Sequence, residues 1–347
     1  MRAPTAAVHL PPRGPACDAH PIRCLRAHVR RCTRATTAPG TERPAVLTFT
    51  HPTFQFCMPT DTASQGYKDS IEQLFRFGFW LLVGSVVFSL LGMLLLKLFP
   101  AAWEIFGPMY DKLVKTPTWT FMAMLAILPV LMYGVSLGWK RMTFFVVWGC
   151  FIGGASELVG TTGFATWNGV ALPFGAYEYT QWLGPKMFDH VPYFIPPSWF
   201  AMALVSLDLA RRATGSRWTG VLLGTVFMVL WDVSLDPAMT KGQVPFWSYT
   251  VDGFYYGMPL SNWIGWLVVS LIIIVGYEFI GGGLKETNRW APWLYVVNCA
   301  FPLGICLLEG LYIAVLAGGL ATALPFAVIY LSGRREPSIK TAQPQQA

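Results

Sequence analysis

Charge is what this chain has least of. Lys, Arg, Asp and Glu make up 12% of its 347 residues, about half of the roughly 25% found in ordinary soluble domains. Hydrophobic residues make up 54% and the mean hydropathy is +0.46, so the composition is that of an integral membrane protein. Histidine nearly disappears after residue 57, where His190 alone remains. A di-iron desaturase or hydroxylase site, which draws on many His or Glu ligands, is therefore not expected. Also missing are a paired Asp-rich diphosphate site of the intramembrane prenyltransferase kind, a nucleotide-binding loop and any internal repeat. No organic cofactor and no metal is implied.

The basic balance is local. Residues 1–57 hold eight Arg, no Lys and only Asp18 and Glu42, whereas from Met58 onward 17 basic residues face 16 acidic ones. A nucleic-acid partner therefore has no support in the body of the chain. Residues 1–57 read either as an Arg-rich, acid-poor targeting or disordered extension, or as translation assigned too far upstream. The polar leader of residues 58–76, opening at Met58, favours the second reading. Cys17, His20, Cys24, His28 and Cys32 have spacings that could recruit a metal, but no apolar scaffold surrounds them and no zinc site is expected. Cys150, Cys299 and Cys306 fall in apolar spans, as small buried hydrophobes do.

A bilayer core of about 30 Å takes about 20 apolar residues per helix. Uncharged runs at 77–96, 116–139, 253–277 and 310–333 meet that length, and runs at 142–164, 191–210, 218–235 and 290–308 meet it with one acidic interruption or boundary. The expected fold is all-α: a polytopic bundle of about eight transmembrane helices over residues 77–333, with a polar tail at 334–347. Only Glu309 and Gly310 separate the last two runs, so a re-entrant pair is an alternative there. Twelve Lys and Arg fall on one side and five on the other, which places both termini in the cytoplasm. Gly149 with Gly153, and Gly220 with Gly224, have the spacing that lets helices approach closely.

Three carboxyls interrupt or end these apolar runs: Glu157, Asp232 and Asp236. Asp at a helix centre in a membrane costs about 2.5 to 3.5 kcal/mol on insertion scales, which makes each a functional-site candidate. Asp232 and Asp236 are four apart and share a helix face if the helix continues. Burial and a like neighbour both disfavour ionisation, so the pair is expected to retain a proton that an alkene could receive. The competing reading is that Asp236-Pro237 merely ends the helix, because the residue before proline resists helical geometry. Glu157, among Gly153, Gly154 and Gly160, suits either enzyme chemistry or a transporter's proton relay with Asp232 and Glu309.

Aromatic residues crowd the two loops on the acidic side, among them Tyr177, Tyr179, Trp199, Trp247, Tyr249, Tyr256 and Trp263. Interfacial belts account for many such residues. Ring faces also stabilise cations, by up to about 2 kcal/mol or more when desolvated, as the tertiary carbocation from a protonated trisubstituted alkene would require.

In order along the chain stand Glu157-Leu-Val-Gly-Thr-Thr-Gly163, Pro173-Phe-Gly-Ala-Tyr-Glu-Tyr-Thr180, Leu183-Gly-Pro-Lys186, Ile195-Pro-Pro-Ser-Trp199, Asp232-Val-Ser-Leu-Asp-Pro-Ala-Met239 and Tyr256-Gly-Met-Pro-Leu-Ser-Asn-Trp263. This ordered set resembles the membrane-integral carotenoid biosynthesis family of the γ-carotene 1'-hydratase and bisanhydrobacterioruberin hydratase type. The resemblance implies hydration of the acyclic ψ-end of a carotene: a proton goes to C2 and water captures the cation at C1, with no organic cofactor. It further implies a carotenoid substrate, lipid surroundings in a prokaryotic cytoplasmic membrane, and other pathway enzymes as partners. Asp232 or Asp236 would then donate the proton, Glu157 would orient or deprotonate water, Tyr177, Tyr179, Tyr256 and Trp263 would face the cation, and Asn262 would fix a water. An end-group cyclase, starting from the same protonation, is the enzymatic alternative. The spacer Ala165–Leu172 is longer than the family pattern, which leaves open which carotene end fits.

Overall fold

The computed structural model describes residues 61–251 and 253–333, with side chains from residue 66 onward. The basic stretch 1–57 with its Cys and His residues, the first residues of the leader and the tail from residue 334 lie outside the described residues. Eight long helices are present among the described residues: α1 (Asp61–Leu98), α2 (Tyr110–Leu137), α3 (Trp139–Thr162), α4 (Ile195–Ala213), α5 (Arg217–Lys241), α6 (Leu260–Val275), α7 (Ala291–Leu308) and α8 (Tyr312–Gly333). All but α4 belong to segments long and apolar enough to cross a membrane. The protein is an all-α membrane protein, as its composition requires.

Helix α4 is the exception because it meets protein instead of lipid. Every residue from Ser198 to Ala210 is buried, and the helix packs against α2, α3, α5, α6, α7 and α8. A central helix of this kind can carry polar groups if each finds a partner. At its C-terminal end Asp208, fully buried, accepts bonds from Tyr133 Oη (2.7 Å), the Asn288 backbone N–H (2.6 Å) and Arg212 Nε (2.9 Å). Together these three donors tie α2, α4 and the segment before α7 at the end of the bundle remote from Glu157.

The glycine pairs seat α4. A Cβ on Gly149 would lie 2.7 Å from Phe200 Cα, one on Gly153 would lie 2.6 Å from the Trp199 side chain, and one on Gly224 would lie 3.3 Å from Leu207 Cα. Helices α3 and α5 therefore approach α4 at distances that a larger residue at these positions would prevent.

Three boundaries differ from the hydropathy runs. Helix α1 begins inside the leader, at Asp61, where the i, i+4 pair Glu72–Arg76 supports it. The run 253–277 begins as loop: Tyr256 and Gly257 have φ of 52° and 86°, and α6 starts only after Pro259. The Tyr and Phe of that loop raise hydropathy without forming helix. Helix α5 also continues through Pro237 to Lys241, so Asp236-Pro237 does not end it. Proline lacks the N–H that would bond the carbonyl four residues back, and Tyr255 Oη supplies the missing donor, reaching Val233 O at 2.9 Å. Helices α7 and α8 are two separate long helices joined at Glu309–Leu311, with Gly310 at φ 72°.

The connections at the Glu157 end form three short ribbons. Strands β1 (Thr166–Trp167) and β2 (Val170–Ala171) enclose Asn168-Gly169, with φ of 49° and 79°, the positive values that a two-residue Asn-Gly hairpin turn demands. This hairpin occupies the long spacer. Strand β3 (Tyr177–Tyr179) pairs across the chain with β6 (Trp247–Tyr249), while β4 (Lys186–Met187) pairs with β5 (Val191–Pro192). The β3–β6 ribbon joins the α3–α4 connection to the α5–α6 connection.

Candidate active site

Glu157 lies one helical turn beyond Gly153 on α3 and is 5% exposed. The space left by Gly153 is taken by Trp199, whose Nε1 donates to Glu157 Oε1 at 2.8 Å. Two phenols donate to the other oxygen, Oε2: Tyr177 and, at 2.8 Å, Tyr179. An ionised carboxylate is an acceptor with about four lone-pair sites. Three are filled here, and one at Oε1 is left for a further donor.

Asp236, on α5, is held in a parallel way. Trp247 Nε1 donates to Oδ1 at 2.6 Å and Tyr249 Oη to Oδ2 at 2.8 Å. The same two-stranded ribbon supplies both sets of donors. Strand side chains alternate faces, so Tyr177, Tyr179, Trp247 and Tyr249 all leave one face of it and reach carboxylates on two different helices. Burial pushes the Tyr177 and Tyr179 hydroxyls well above the ordinary phenol range, and the adjacent Glu157 adds to the effect. Burial and Asp236 do the same for Tyr249. All three remain neutral O–H donors at any physiological pH.

Asp232, one turn before Asp236, is 1% exposed and receives a single hydrogen bond, from Asn262 Nδ2 to Oδ2 at 2.9 Å. The carboxyls thus form a graded series, with three donors on Glu157, two on Asp236 and one on Asp232. Hydrogen bonds to the charged form favour it, so a charge on Asp232 would have the least support of the three.

A cavity of about 50 Å³ lies among these groups. Glu157, Asp236 and Asn262 contribute its polar lining, together with Tyr177, Tyr179, Trp247 and Tyr249, while Phe174, Trp199, Trp231, Leu235 and Trp266 contribute apolar walls. Three indoles meet there: Trp199 and Trp266 at 4.4 Å between ring centroids, and Trp231 and Trp266 at 5.9 Å, nearly perpendicular. Trp231 is locked by its Nε1 bond to Asn298 O at 3.1 Å. A larger cleft of about 390 Å³ between α1, α2, α7 and the end of α5 has no carboxylate in its lining, whereas Glu157 and Asp236 line the smaller one.

Glu157, Asp232, Asp236, Tyr177, Tyr179 and Asn262, all separate in sequence, are thus brought together. Tyr256 and Trp263 are not. They pack with Tyr255, at 5.1 and 5.9 Å between ring centroids, and neither lines the cavity. Trp263 is one residue past Asn262, so on the helix its side chain points to another face. The indoles of Trp199, Trp231 and Trp266 take the wall positions instead, and Trp247 and Tyr249 are the donors that composition alone left unassigned. Their signal was the alternation Tyr-x-Tyr at 177–179 and Trp-x-Tyr at 247–249, the pattern of two paired strands.

Residues 117–325 match the family of carotenoid biosynthesis proteins. The chain belongs to that family. The matched region contains every carboxylate, phenol and indole of the cavity. A stretch of 128 residues, 35% of this chain, is 30% identical to bisanhydrobacterioruberin hydratase of Haloarcula japonica and covers 43% of that protein's length. No solved structure matches this member of the family.

Proposed function

We propose that this protein hydrates the acyclic end of a carotene, adding water across its terminal trisubstituted double bond. The Asp232–Asp236 pair holds one proton, resting on Asp232 and delivered by Asp236, whose side chain faces the cavity. The alkene π electrons form the new C–H bond at C2, leaving a tertiary cation at C1. Water then forms the C–O bond, and its surplus proton passes to Glu157 Oε1, where a lone pair is unspent. Solvent exchange returns a proton to the aspartate pair, so the balance is one alkene plus one water, without oxidant or reductant. General acid and base groups of this kind contribute about 10² to 10⁴ in rate.

The observation that carries this reading is a pair of carboxyls, Glu157 and Asp236, lining one small cavity walled by indoles, with Asp232 one turn behind and bonded to the lining residue Asn262. The walls of Trp199, Trp231 and Trp266 suit a transient cation, each ring face being worth up to about 2 kcal/mol in a desolvated setting. The partial likeness to a protein named as a hydratase supports the same reaction class. Both termini are taken to be cytoplasmic, with the ribbon side on the opposite face of the membrane. The test is expression of residues 58–347 in a host that accumulates acyclic carotenes. A pigment heavier by one water supports hydration. An isomer of unchanged mass would indicate cyclisation instead, and unaltered pigment with folded protein would exclude both for those carotenes.

A further inference from the structure

A cavity of about 50 Å³ is far too small for the length of a polyene, so in the proposed reaction most of the chain must leave the site between helices. One side of the cavity is covered by the polar ribbon, and α4 and α5 close another side in the bundle interior. Phe174 closes the side toward α3 and α6. Its ring lies between two glycines: a Cβ on Gly160 of α3 would meet Tyr177 Cε1 at 3.1 Å and Phe174 Cδ2 at 3.2 Å, and one on Gly265 of α6 would meet Phe174 Cδ1 and the Pro173 carbonyl oxygen, each at 2.5 Å. The wall is therefore made by a residue of the α3–α4 connection inserted where both helices have surrendered their side chains. Phe174 is 2% exposed, lines the cavity and packs against Trp199 at 5.7 Å between centroids. On the outer sides of the same two helices Val147, Phe151, Ile264 and Val268 are exposed, so α3 and α6 both border lipid.

We infer that Phe174 is the specificity-determining plug of a lateral portal, and that the apolar arm of a linear polyene passes between α3 and α6 through the slot its ring now fills. This rests on the hydration reading for the identity of the ligand, but not for its test. Phenylalanine swings on two side-chain torsions, and the two flanking glycines place no side chain of their own against its ring. A larger ring would wedge in the slot, and a methyl group would leave it open.

The experiment measures retention of an acyclic C40 polyene by the full chain after reconstitution in phosphatidylcholine liposomes and repurification, with no turnover needed. Phe174→Trp is expected to lower retention at least tenfold while the protein stays folded, and Phe174→Ala to retain pigment and take it up at least threefold faster. Equal retention and equal uptake in all three proteins would overturn the portal. So would loss in Phe174→Ala with a normal melting temperature, since the ring would then be a binding wall. If Phe174→Trp does not fold, the uptake rate of Phe174→Ala decides alone: faster uptake supports the portal, and unchanged or slower uptake overturns it. Retained but unhydrated pigment would count against the hydration reading and leave the portal standing.

Discussion

Tyr177 and Tyr249 face each other as Cα partners across the β3–β6 ribbon, yet they donate to carboxylates on different helices, Glu157 on α3 and Asp236 on α5. A single two-stranded element therefore sets the spacing between the two acids. It draws its strands from connections some 70 residues apart in the chain, so the site exists only once the bundle has closed.

Removing one phenol should weaken the fold as well as the site. A hydrogen bond to a charged group contributes about 1.5 to 3 kcal/mol. Tyr179→Phe leaves Glu157 with two donors and Tyr249→Phe leaves Asp236 with one, so each should lower unfolding free energy by about that amount. Chemical denaturation in detergent of the two single variants and the double variant checks this. Coupling above about 0.5 kcal/mol in the double-mutant cycle is expected, because one ribbon carries both groups.

The carboxyls should separate by role. In the proposed reaction Asp236→Asn and Asp232→Asn each remove an acid of the proton-holding pair, and hydration should fall by about 10² to 10⁴. Glu157→Gln can still accept at one oxygen, but its amide NH₂ opposes either the Trp199 N–H or the two phenols. Both activity and stability should fall there. Pigment mass analysis of the three variants, with melting temperatures, checks the assignment. Full activity in Asp232→Asn would remove the proposed proton store.

Much of this was legible before any coordinates. The eight helices follow from apolar run length, and Glu157, Asp232 and Asp236 stand out because carboxyls are costly in those runs. Their convergence was expected from alternating connections at one end of the bundle. Tyr256 and Trp263 misled because hydropathy and aromatic content do not report side-chain direction, which a single residue step on α6 changes by about 100°. The start of α6 was blurred for a related reason: loop aromatics count as apolar. Helix α4 shows the opposite limit, since its Ser, Asp and Arg residues weaken the apolar signal of the most deeply buried helix in the bundle.

Gly153 joins fold to chemistry. A valine there would put Cβ 2.6 Å from Trp199, forcing the indole that donates to Glu157 to shift. Overpacking of this kind costs about 1 to 3 kcal/mol, and the lost charged hydrogen bond adds to it. Gly153→Val should lower both stability and hydration, whereas Gly84→Val, at a position where a Cβ meets nothing within 4 Å, should change hydration little. Comparison of the two in the carotene-producing host separates site geometry from a general intolerance of helix substitutions.

Alkali should open the ribbon. The folded-state pKa values of Tyr177, Tyr179 and Tyr249 lie above those of free phenols because burial and the nearby carboxylates oppose ionisation. The unfolded chain releases these protons near pH 10, while the folded protein keeps them. Above that pH the folded state binds more protons than the unfolded state, so the stability present at lower pH is lost as pH rises. Three such groups give a slope of roughly 4 kcal/mol per pH unit, enough to unfold a marginal protein within a few pH units. Tyr255, half-exposed and pushed up to about 12, should ionise in the folded state before these three. Tyrosinate absorbance followed against circular dichroism should therefore show a small early rise with helix intact, then a cooperative rise as helix signal is lost. Gradual ionisation of all phenols without loss of helix would show that the ribbon does not bury its hydroxyls against the carboxylates.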